Sequence, residues 1–190
     1  MKLPLFAAVL CAFVSSASAT IIQFDLQGTS GFGLLPGNEP AGTVTTASTG
    51  SGGEIGAGIS FNDATLVLTV NVGWGTGNNF TDLTSAVMNS HIHGPVTLAQ
   101  ASTFTGTTAV LFNLARVSST ANGGSIATTQ SLTAPQATEL LAGRYYINIH
   151  TMSNGGGEAR GFLVQAVPEP GTASLIGCGA LAFFARRRRG

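Results

Sequence analysis

The chain has 190 residues, of which only 8% are charged, and its eight basic and eight acidic side chains cancel to a formal charge of zero. The cancellation is uneven: Lys2 and Arg186–Arg189 lie at the ends, so between Thr20 and Val167 three arginines face seven carboxylates, which leaves −4 with histidine neutral. A sparse, mildly acidic body lacks the clustered cations that nucleic-acid binding needs. With Cys11 and Cys178 both near the ends, no disulfide holds it together.

In chain order, Met1-Lys2 precedes an apolar run from Leu3 to Val14, and Ser15–Ala19 ends in Ala-x-Ala. This is the pattern of a secretory signal peptide over residues 1–19, cleaved between Ala19 and Thr20. Its partners are the secretion machinery and signal peptidase.

Residues 20–166 read as one domain of short strands. Gln23–Leu26 opens the first, and residues 28–53 read as a long loop poor in core residues. Ile55–Phe61 and Ala64–Trp74 flank a hairpin turn at Asn62-Asp63, with Leu66, Leu68, Val70, Val72 and Trp74 on one face. Val87–His93, Ala109–Ala115, Arg144–Thr151 and Glu158–Gln165 follow, separated by glycine-rich turns. One helix interrupts them: Thr133 fits its N-cap, Gln136 the capping-box partner and Gly143 the terminator, with Ala137, Leu140 and Leu141 apolar. Many short strands and one short helix predict an all-β fold, an antiparallel β-sandwich of the immunoglobulin or Cu/Zn-superoxide-dismutase kind.

Residues 167–190 differ in kind. Val167-Pro168-Glu169-Pro170 leads into an uncharged apolar run from Thr172 to Ala185, then Arg186, Arg187, Arg188 and Arg189. The run is shorter than the roughly 20 residues of a full span, and the arginines resist translocation. A short transmembrane helix is expected, inserted transiently with its C-terminus in the cytoplasm. The Pro168-Glu169-Pro170 motif, apolar run and arginine cluster, in that order, resemble the PEP-CTERM sorting signal. The resemblance implies recognition and cleavage by exosortase at the inner membrane of a Gram-negative bacterium, then delivery to the cell surface or extracellular matrix.

All three histidines fall in two of the expected strands. Side chains two apart in a strand share a face, so His91 and His93 point one way, and Tyr146, Asn148 and His150 lie opposite Tyr145, Ile147 and Ile149. Neighbouring strands would bring three imidazoles together. Two readings stand. In one, His91, His93 and His150, with Glu158 as a fourth ligand, bind a divalent transition metal, Zn or Cu. In the other, the histidines bond to backbone, to Asn148 or to a Glu158–Arg160 pair, and Arg144 and Arg160 join a buried carboxylate network that fixes the last strand.

His91-Ile92-His93-Gly94-Pro95, Asn148-Ile149-His150-Thr151 and Gly157-Glu158-Ala159-Arg160-Gly161 resemble blocks of the CHRD domain, named for chordin, over most of residues 21–166. That family carries no settled biochemical activity. The body has no Gly-x-Ser-x-Gly elbow, no His-Glu-x-x-His helix and no cysteine nucleophile. The expectation is a non-enzymatic secreted module for binding or adhesion, with an extracellular polysaccharide or a surface protein as partner and no cofactor, or alternatively a metal-binding module.

Overall fold

The computed structural model describes residues 19–167. The signal peptide, apart from Ala19, and the sorting tail beyond Val167 lie outside the described residues. Among those described, no helix is long and apolar enough to cross a membrane.

Among the described residues, ten strands form one sheet: β1 (Ile21–Gly28), β2 (Gly31–Phe32), β3 (Gly52–Asn62), β4 (Val67–Trp74), β5 (Val87–His93), β6 (Val110–Asn113), β7 (Arg116–Ser119), β8 (Gly124–Ser131), β9 (Tyr146–Thr151) and β10 (Ala159–Gln165). The order is β6-β5-β9-β10-β1-β3-β4-β8-β7, with β2 attached to β1, and the pairings are antiparallel. The all-β antiparallel expectation holds, with one refinement: the two expected layers are opposite flanks of a single curled sheet. Its outermost strands, β6 and β7, are consecutive in sequence and joined by Leu114-Ala115 alone. Chain reach is about 3.5 Å per residue, so the sheet must curl until its edges nearly meet. The expected strand Ala109–Ala115 is present as the shorter β6, and β7, which the sequence pattern does not show, begins one residue beyond it on the opposite edge.

Curling places both flanks around one core. Phe24 and Leu26 of β1, Ile59 and Phe61 of β3, Leu68, Val70, Val72 and Trp74 of β4, and Ile126 of β8 pack in one buried cluster with Ile92, Ile147, Ile149 and Leu163. The alternation expected for β4 is observed except at Leu66. That residue has φ 56° and belongs to the turn before the strand. Asn62 builds the turn, because its Oδ1 accepts from the Ala64 and Thr65 amides at 3.0 Å each.

The expected helix is present as α2 (Ala134–Leu141), with a complete Thr133–Gln136 capping box and Gly143 at φ 69°. Ala137 and Leu140 are buried in the core. A second helix, α1 (Leu98–Ser102), is capped by the same device, with Thr97 and Gln100. Its five residues are too few to show an apolar period, which is why the sequence pattern does not reveal it.

Residues 28–53 are more ordered than a plain loop. They contain β2, a 3₁₀ turn at Pro36–Asn38 and isolated bridges that pair Leu34 with Gly52 and Leu35 with Arg160. Asn38, 2% exposed, holds the segment against β10. Its side chain donates to the Arg160 carbonyl at 3.0 Å and to that of Gly33 at 3.2 Å, and accepts from the Ser30 amide at 2.8 Å.

Candidate metal centre

Register builds the site. β5 lies beside β9, with His91 opposite Asn148, His93 opposite Tyr146 and Asn89 opposite His150. β9 lies in turn beside β10, with Asn148 opposite Arg160 and Tyr146 opposite Phe162. Ile92, Ile147 and Ile149 enter the core. By alternation, His91, His93, Tyr146, Asn148 and His150 occupy the other face.

The three imidazoles converge there. One ring nitrogen from each lies within 4.8 Å of the others. Ring centroids are 4.9 Å apart for His91–His150, 5.4 Å for His91–His93 and 6.1 Å for His93–His150. Two of the rings have a fixed tautomer. His93 Nδ1 meets the Thr108 carbonyl at 2.9 Å, and His150 Nδ1 meets the Gly155 carbonyl at 3.0 Å. A carbonyl only accepts, so each Nδ1 carries the proton, and in the neutral ring Nε2 keeps its lone pair. His93 Nε2, His150 Nε2 and His91 Nδ1 are all buried without a hydrogen-bond partner.

The surroundings favour the neutral form of His91 and His93. Burial lowers the His91 pKa, and the nearby His150 and His93 lower it further. His93 is also pushed down, chiefly by burial and then by His150 and Arg160, despite the Thr108 carbonyl that favours its charged form. An imidazole whose far nitrogen donates to a carbonyl, as in His93 and His150, is the arrangement typical of metal-binding histidine.

Outside the rings sits a supporting layer. Tyr146 stacks on His93 with 4.9 Å between centroids and 1° between planes. The Arg160 guanidinium lies over Tyr146 at 4.3 Å and over Phe162 at 5.0 Å, within cation–π range. Its terminal nitrogens donate to the Gly106 carbonyl at 2.9 Å and the Phe104 carbonyl at 3.2 Å. The loop that supplies the Thr108 carbonyl to His93 is thus clamped from β10.

Three expectations need correction. Glu158 does not join the histidine cluster. Fully buried, its carboxylate accepts from the hydroxyls of Ser48, Thr84 and Thr151 at 2.6 Å each and from the Thr84 amide at 2.7 Å. Burial alone would raise its pKa, but those bonds together bring it below the ordinary value. The bend at residues 153–158 turns the side chain toward Thr151 and away from the imidazoles. Second, no Glu158–Arg160 pair forms; Arg160 faces Glu39 instead, and each shifts the other's ionisation. Third, Arg144 pairs with Glu139, the sole ion pair among the described residues, and donates to the Val96 carbonyl. Asn148 does lie between His91 and Arg160, and its Oδ1 is buried without a hydrogen-bond partner. Glu39 is the participant that the sequence pattern misses. Nothing in the Gly- and Pro-rich context of Pro36-Gly37-Asn38-Glu39-Pro40 marks it as buried.

The fold and site together define an all-β domain with three buried, unpartnered imidazole nitrogens on rings that lie close together. Residues 36–163, more than half of the chain, match the CHRD domain model, and the chain belongs to that family. Residues 166–189 match the PEP-CTERM protein-sorting motif, which marks a secreted, exosortase-processed protein that is transiently anchored in the membrane and destined for the cell surface. No curated protein and no solved structure matches the chain.

Proposed function

We propose that the CHRD domain is a non-enzymatic binding module displayed on the surface or in the extracellular matrix of a Gram-negative bacterium, and that its histidine face binds one divalent transition metal, Zn or Cu. The observation that carries the metal is the set of three buried, unpartnered nitrogens, His91 Nδ1, His93 Nε2 and His150 Nε2. A purely structural network would spend those lone pairs on donors. Leaving a buried polar group unmet costs about 1–3 kcal/mol each. A metal ion satisfies all three at once, and imidazole is a natural ligand for Zn and Cu. His93 and His150 arrive already oriented by the Thr108 and Gly155 carbonyls, which lowers the cost of assembling the site.

The test is elemental analysis of the protein recovered from its secreting cells, followed by reconstitution with Zn(II) or Cu(II). One equivalent of metal is expected, and the His91→Ala and His93→Ala variants should lose it while keeping their far-UV circular dichroism. Substoichiometric metal after reconstitution refutes the assignment. Mass spectrometry of the same preparation checks the ends: an N-terminus at Thr20 and loss of Arg186–Arg189 are expected.

A further inference from the structure

Met1 aside, the chain has two methionines, Met88 and Met152. Methionine is usually buried, yet Met88 is 44% exposed and Met152 72%. Both sit at one end of the histidine face. Met88 is the extra residue of a bulge in β5, between Val87, which pairs with Thr151, and Asn89, which pairs with His150. Its methyl carbon lies 3.6 Å from where a Cβ on Gly155 would stand, and the Gly155 carbonyl is the one that holds His150 Nδ1. Met152 comes two residues after His150. Its amide donates to the Ala86 carbonyl at 3.0 Å, which extends the pairing of β5 with β9 past the bulge.

A cavity of about 260 Å³ lies along β5 at this end, and Met88 and His91 both line it, with Asn89, Asn113 and Arg116. One thioether and one of the three imidazoles therefore border the same space.

The donor type selects the ion. A thioether sulfur is soft and uncharged. Zn(II) is held by thiolate, imidazole and carboxylate, whereas thioether favours Cu(I). No carboxylate belongs to the histidine cluster. The charged side chain at the cavity is Arg116, which also donates to the Val87 carbonyl. A guanidinium there repels a doubly charged ion more than a singly charged one.

We propose that Met88 and Met152 take up Cu(I) at the outer end of the histidine face and pass it to His91, His93 and His150. The inference rests on the reading of the histidines as a metal centre and narrows its metal to copper, received in the monovalent state. The ion exchanges thioether for imidazole ligands and keeps its charge, so the transfer needs no electron donor or acceptor.

The experiment loads the metal-free secreted protein anaerobically with Cu(I), and separately with Zn(II), and follows the two methionine methyl groups and the histidine rings by NMR. Cu(I) is diamagnetic, so the signals survive. Both methyls should shift with Cu(I) and stay in place with Zn(II), while the ring signals report filling of the centre. The double variant Met88→Leu, Met152→Leu keeps the apolar surface and removes both sulfurs. Its uptake of Cu(I) should slow by about tenfold or more, the size typical for loss of a supporting metal contact. A purely apolar docking patch predicts no change, because leucine serves it equally. Methyls that ignore Cu(I), methyls that shift equally with Zn(II), or a double variant that takes up Cu(I) as fast as wild type would overturn the proposal, and a ring response in the same spectra would leave the metal centre standing. Methyls that shift while the rings stay silent to both ions would refute the histidine centre and the hand-over with it.

Discussion

Glu39 gives this fold an unusual dependence on pH. Its carboxyl is buried, and burial pushes its pKa from an ordinary 4.5 up to about 7, with Arg160 pulling the other way. A folded-state pKa above the unfolded value means that the folded protein holds the proton more tightly. The associated stability is fully present below about pH 4.5 and is lost as pH rises through about 7. At about 1.4 kcal/mol per pH unit, the loss between pH 5 and pH 8 is roughly 2.5 kcal/mol. Glu39→Gln places a neutral isostere in the same space and should erase this term. Urea unfolding at half-unit steps from pH 5 to pH 8 reads it directly. Wild type and variant should be nearly equal at pH 5 and separate toward pH 8, with Glu39→Gln the more stable by roughly 2–3 kcal/mol. Parallel curves, or a variant less stable at pH 8, would show that Glu39 is ionised in the folded protein and that burial does not govern it.

Further outcomes follow from the same structure. Glu158 has the opposite sign: its folded pKa is depressed, so its stabilisation holds above the ordinary 4.5 and drains away as the solution is acidified below it. Glu158→Ala leaves the hydroxyls of Ser48, Thr84 and Thr151 without their acceptor and should cost about 3 kcal/mol in denaturant unfolding at pH 7. Thr133→Ala removes the cap of α2 and should cost about 1 kcal/mol, seen as a lower thermal midpoint with unchanged metal content. Because His91 and His93 are held below the ordinary 6.5, proton competition at these two rings should weaken metal binding only below that value; NMR titration of the metal-free protein checks it, and either ring gaining its proton above pH 7 would contradict the reasoning.

The histidine cluster was legible in the sequence because strand parity is strict. Once Val87–His93 and Arg144–Thr151 are read as strands, alternation assigns His91, His93 and His150 to the polar faces, and the only missing datum is that β5 and β9 are neighbours. The place of Glu158 is not legible, for the complementary reason. It sits at the bend just before β10 starts at Ala159, where period-two logic no longer applies, and three hydroxyls from distant segments capture its carboxylate. Glu39 was invisible because its burial arises from a segment folding back over β10. That contact depends on Asn38 reaching carbonyls at Gly33 and Arg160, 122 residues away in the latter case.

The same contrast explains why the sequence pattern of a curled sheet resembles that of a sandwich. Local alternation records which side chains face inward, and inward residues look alike whether two sheets face each other or one sheet bends round. The distinguishing fact is the connectivity of the edges: Leu114-Ala115 links β6 to β7 across the opening. That short link also bears on the metal centre. β6 pairs with β5, with His91 opposite Asn113, and the Ser90 hydroxyl bonds to the Leu114 carbonyl at 2.7 Å. The strand that carries two of the three imidazoles is thus held between β9 and a half-strand that cannot drift, because two residues tie it to the far edge of the sheet. Lengthening the link by several glycines should leave β7 and β8 paired, loosen β5 and lower metal affinity before it lowers global stability. Hydrogen exchange at the β5 amides, followed with and without metal, distinguishes that order of events from a cooperative loss of the whole fold.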